Sequence, residues 1–186
     1  MANRNTQGFG LIPAGTLGQT PATSGTGKYK IDAGSATTIF QGGAVSSSAG
    51  YIIDGQTTDA PILGVLNGIF FNAATTLKPT FQNHYVQVTP ANSEDIDAFV
   101  FDNPQQQYVV ATDDSVAQSG YLETYDMNAS AGSTTTGKSS STLDIGDTSA
   151  DAAAFRLLRS AEDPENDENA AFRSVVVCLN LIELQS

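Results

Sequence analysis

The chain has 186 residues, 40% of them hydrophobic, which is enough for one core and suits one domain or one domain plus an arm. Twenty acidic residues against 8 Lys and Arg give a formal net charge of −12, and the cations are scattered from Arg4 to Arg173. A nucleic-acid partner is therefore disfavoured, because phosphate binding needs a basic stripe. No apolar run approaches the roughly 18 residues of a membrane span, and the N-terminus lacks a signal-peptide core, so a soluble product of the cytoplasm with no membrane partner is expected.

Residues 1–27 hold six glycines (8, 10, 15, 18, 25 and 27), Pro13, Pro21, one charge at Arg4, and the isolated apolar residues Phe9, Leu11, Ile12 and Leu17. Such a segment cannot build a core by itself. Two readings stay open: a disordered tail, or an extended arm that reaches up to about 90 Å at roughly 3.3 Å per residue and lies across a neighbouring subunit.

From Lys28 the texture becomes that of an all-β protein, with short apolar runs separated by Gly, Ser, Thr and Asn. The patterns predict strands at 28–32, 37–41, 44–46 and 51–53, with Asp54-Gly55 as a turn. Residues 61–71 read either as a hairpin turning at Asn67-Gly68 or as one strand with glycine bulges. Further strands are predicted at 82–89, 96–101, 107–112 and 121–127, punctuated by Pro90, Asn103-Pro104 and Asp113-Asp114. Residues 128–142 form a Ser/Thr/Gly tract with one charge, Lys138, and read as an exposed loop in which nothing is buried profitably. Around 151–155 a helix capped near Ser149 or Asp151 competes with a strand.

The chain ends on a strand, an acidic turn at 162–169 and a strand at 172–184. The last run is apolar at both alternating phases, so both its faces should be covered, and Cys178 within it reads as a buried, inert thiol. A lone cysteine also excludes an intrachain disulfide.

Several motifs invite a chemical reading. Gly132-Ser133-Thr134-Thr135-Thr136-Gly137-Lys138-Ser139 matches the letters of a phosphate-binding P-loop. A P-loop needs an apolar strand before it and a helix N-terminus after it, and neither pattern is present, so a solvated loop is expected and no nucleotide cofactor. The carboxylates of 94–97 and 162–169 could supply oxygens to calcium, but the spacing is not that of an EF-hand and no metal site is assigned. His84 is the only histidine and has no recognisable nucleophile or metal partner, so it is read as structural, with no catalytic residue assigned and no enzymatic activity expected.

The order of segments carries more than any single motif. The chain runs from Gly8-Phe9-Gly10-Leu11-Ile12-Pro13 through Thr38-Ile39-Phe40-Gln41-Gly42-Gly43-Ala44-Val45 and Gly50-Tyr51-Ile52 to Ile62-Leu63-Gly64-Val65-Leu66-Asn67-Gly68-Ile69-Phe70-Phe71. It continues with Lys78-Pro79-Thr80-Phe81, Phe101-Asp102-Asn103-Pro104 and Phe155-Arg156-Leu157-Leu158, then Asp163-Pro164-Glu165-Asn166 and the last strand. This ordered set resembles the capsid decoration, or cement, proteins of tailed bacteriophages. The resemblance implies a virion protein on the outer surface of the head that bridges major capsid protein subunits, locks the expanded shell, and meets copies of itself as a dimer or trimer. It also implies that 62–71 is one strand, that the Thr-rich tract is exposed and that 155–158 is extended. The chain departs from the family in Arg159-Ser160-Ala161 and in its very acidic turn.

The expectation is thus a single β-barrel or β-sandwich domain over residues 28–186 with an N-terminal arm over 1–27. Phe9, Leu11, Ile12 and Leu17 are the candidate capsid contacts, since they have no local core to join. Deleting 2–20 should then abolish binding and leave the domain folded. The rival reading is a virion fibre or adhesion module that binds a host surface glycan.

Overall fold

The computed structural model describes residues 3, 5–19, 25–56, 61–146, 153–167 and 169–185. The protein is all-β, built from antiparallel sheets, and the only helical pieces among the described residues are short 3-10 turns. One five-stranded sheet has the order β1 (Ile12–Thr16), β8 (Gln106–Ala111), β13 (Ser174–Leu179), β12 (Phe155–Ser160), β9 (Thr124–Tyr125). A six-stranded sheet runs β2 (Gly27–Ile31), β7 (Ile96–Phe101), β5 (Gly64–Asn72), β3 (Ala44–Ser48), β4 (Tyr51–Asp54), with β6 (Pro79–Gln82) also paired to β5. A small ribbon joins β10 (Met127–Asn128) to β11 (Thr142–Leu143). Strands β2 and β4, at the two ends of the larger sheet, come close without pairing, so the sheets do not close into one barrel.

The final strand sits where its sequence requires. β13 is the central strand of its sheet and all six of its residues are buried. Val175, Val177 and Leu179 point into a core shared with Tyr108, Val110, Phe155 and Leu157. The opposite phase, Val176 and Cys178, lies directly across from Arg159 and Arg156, so the face away from the core is shared with arginines. Arg156 is fixed by bonds to the Leu122 carbonyl (2.7 Å) and to Asn180 (3.1 Å). Burial pushes the Cys178 thiol up, as expected of an inert sulfhydryl.

Residues 64–72 form one strand, and the Asn67-Gly68 pair is a bulge within it, not a turn. The extra residue lets Leu66 and Ile69, three apart, point into the same core. Val65, on the other phase, reaches the core of the five-stranded sheet, so β5 links the two clusters.

Other expectations are corrected. Of 82–89 only residue 82 is in a strand, and Tyr85 makes an isolated bridge to Ile39. Residues 121–127 hold a turn and two short strands, and 37–41 contribute only bridges at Ile39 and Gln41. Of the 151–155 stretch where helix and strand competed, residues 151 and 152 lie outside the described residues, Ala153 and Ala154 are not helical, and Phe155 begins β12.

The Ser/Thr tract is not simply solvated. Residues 133–136 are exposed, but Ser139 and Ser141 are buried, and both hydroxyls bond to the side-chain oxygen of Gln56. Asparagine and glutamine from distant segments supply the partners that the tract cannot find locally, which is why burial becomes favourable.

Residues before the boundary drawn after 27 pack against the rest of the chain. Asn3 is buried and its amide donates to the carbonyls of Asp167 (3.3 Å) and Ala171 (2.9 Å), which ties the start of the chain to the acidic turn. β1 pairs with β8, and Leu11 is 1% exposed within the main core. That core is assembled from strands that carry Ala44 and Val65, Tyr108 and Val110, and Val175 to Leu179, so no local pattern could show it.

Candidate functional site

The N-terminal strap, residues 5–17, turns three of the four candidate contact residues toward one place. Gly10 adopts a left-handed conformation (φ 71°), and a Cβ there would lie 2.7 Å from that of Ser139, so only glycine fits the strap against its neighbours. Gly10 N donates to Ser141 O (3.1 Å) and Leu11 N to Gly42 O (2.8 Å), which fixes the strap before it enters β1. Pro13 is tolerated because β1 is an edge strand, and a register shift between Pro13 and Gly15 bends it. Gln106 donates its side-chain amide to Gly15 O (2.7 Å) and holds the far side of that bend.

A cavity of about 230 Å³ opens beneath this strap. Phe9, Leu11, Ile12 and Pro13 form one wall. Val65 and Leu66 of β5 and Phe101 of β7 form the other. Gln41, Asn67 and Lys138 stand at its polar side. Leu11 belongs to the core as well, Phe9 is half-buried, and Ile12 is 51% exposed. Leu17 is exposed past the end of β1 and does not line the cavity. Leu11, which has no local core to join, thus finds one made by distant strands. No family model, curated protein or solved structure matches the chain.

The P-loop look-alike delivers Lys138 to this place by a different geometry. Ser133 N donates to Lys138 O (3.0 Å) and Gly137 N to Ser133 O (2.6 Å), closing a tight turn with Gly137 left-handed. Ser139 N then donates to Gln41 O (2.9 Å), so the chain continues along 41 and no helix follows. A phosphate cradle of amides at a helix start is not formed here.

The other candidates are spread around the molecule. His84 stacks on Phe40 with centroids 5.9 Å apart, and its Nδ1 lies 2.9 Å from Asn83 Oδ1. Asp95 accepts from Tyr51 (3.1 Å) and from Ala33 N (3.3 Å). Asp97 sits between Lys28 (2.7 Å) and Lys30 (2.6 Å); burial raises its pKa, and the two ammonium groups outweigh that and hold it below the usual carboxylate range. Phe101, Val65 and Leu66 were not singled out as site residues from the sequence. Their only local signal is that β7 carries Phe99 and Phe101 on the phase opposite its buried Ile96, Ala98 and Val100.

Proposed function

We propose that this is a capsid decoration protein that binds the outer surface of an expanded phage head and bridges major capsid protein subunits. The ordered set of segments from Gly8 to the terminal strand carries the reading. Its physical support is the strap: Phe9 and Ile12 present apolar surface beside an open cavity, in a segment anchored at both ends. Anchoring lowers the entropy lost on docking. A ligand that recognises only the expanded shell stabilises it by about 2.7 kcal/mol per site at a hundredfold excess over Kd. We read the fold as a sandwich-like arrangement, because Ala44 and Val65 of the larger sheet share a core with the five-stranded sheet. Co-sedimentation with expanded heads stripped of decoration tests the function. Pelleting with heads and not with unexpanded procapsids is expected; protein left in the supernatant at micromolar concentration overturns the reading.

A further inference from the structure

We propose that the cavity under the strap receives one large apolar side chain of a partner polypeptide, with a carboxylate beside that side chain paired to Lys138. The inference rests on the reading of this chain as a binder of another protein and names what it binds with. The volume, about 230 Å³, lies below the roughly 300–1,000 Å³ of small-molecule sites and suits a side-chain anchor. Its walls are aromatic and aliphatic, the kind of pocket that anchors a protein interface.

Electrostatics sets the second half of the proposal. In a chain with 20 acidic residues, no carboxylate among the described residues lines this cavity, and the one charged group among them that does is Lys138. Lys28 and Lys30 are engaged by Asp97, whereas Lys138 is exposed and has no ion-pair partner among the described residues. The tight turn at 133–138 fixes where this lysine leaves the backbone. A carboxylate approaching elsewhere meets a strongly acidic protein; here it meets a cation at the mouth of an apolar pocket. The amides of Gln41 and Asn67, bonded to one another at 3.4 Å, stand beside Lys138 where they can meet the partner's main chain. A second copy of this chain is a poorer occupant, since it brings another −12 of charge.

The test titrates the isotope-labelled full chain with N-acetylphenylalanine, which joins an aromatic side chain to a carboxylate, and with its uncharged amide. Shifts at the backbone amides of Ile12, Leu66 and Lys138 are expected, with the carboxylate binding about twofold to fivefold tighter, the scale of an exposed ion pair. Lys138→Ala should erase that difference and Lys138→Arg should keep it, both with an unchanged melting temperature because the side chain is exposed. Equal affinities, no shifts at these positions, or a difference that survives Lys138→Ala overturns the proposal. So does probe binding that fades as protein concentration rises while a dimer appears in sedimentation, which assigns the cavity to a second copy. The titration contains no heads, so its failure is distinct from a failure of head binding.

Discussion

Truncating two adjacent strap residues should have very different consequences. Leu11 is 1% exposed among Val65, Tyr108, Val110 and Val177, whereas Ile12, the next residue, is 51% exposed. Leu11→Ala removes three carbons, about 2.4 kcal/mol at roughly 0.8 kcal/mol each. A closed void would add to that, up to a total of about 5 kcal/mol. Leu11 already borders an open cavity into which the surroundings and water can move, so about 2–3 kcal/mol is expected. For a domain of this size that lowers Tm by about 5–10 °C. Ile12→Ala should cost less than about 1 kcal/mol. Thermal denaturation followed by circular dichroism reads both. Deleting 2–20 should destabilise at least as much as Leu11→Ala, since it removes the same buried side chain. A Leu11→Ala protein, or the deletion, that melts within about 2 °C of the parent refutes the integration of the strap into the core.

Three further outcomes follow from the packing. Gln56→Ala leaves the buried hydroxyls of Ser139 and Ser141 without their shared acceptor and should cost about 1–3 kcal/mol in urea denaturation; a cost near zero would show that water replaces the amide. Asp97→Asn should cost no more than about 1 kcal/mol at neutral pH, since Lys28 and Lys30 are largely exposed. Because the folded Asp97 carboxyl titrates below its unfolded value, its contribution is present above about pH 4 and lost as pH falls through the folded pKa; a parent–variant difference that grows on acidification contradicts this sign. Cys178, 6% exposed with its thiol pushed up by burial, should react with a thiol reagent orders of magnitude more slowly in native protein than in denaturant, and fast native labelling would place β13 at an exposed edge.

What could be read from residues alone depended on whether the partner of each residue was local. The terminal strand was legible because Val175 to Leu179 are apolar at both phases, and a strand with two covered faces belongs inside a sheet. The 96–101 strand was legible as a short apolar run between turn signals; its alternation of buried Ile96, Ala98 and Val100 with half-buried Phe99 and Phe101 emerged only in the structure. Asn67-Gly68 was ambiguous because a bulge and a turn use the same residues, and only pairing to β7 on one side and to β3 and β6 on the other decides between them. The burial of Ser139 and Ser141 was hidden because their acceptor, Gln56, is more than eighty residues away. The candidate site was half legible. Phe9, Leu11 and Ile12 stood out as apolar residues in a glycine-rich segment, yet whether each meets a core, a cavity or solvent is set by β5, β7 and β8. Lys138 was noticed for its place in a phosphate-loop pattern; the fold puts it at the mouth of an apolar pocket instead.

The most direct test of the central claim is a density map of purified phage heads that carry this protein. The account predicts density for the all-β domain outside the shell, straddling the boundary between capsid subunits, with the strap and its cavity turned toward the capsid surface. Heads whose outer surface lacks that density, with the protein found only in a tail fibre, would contradict it.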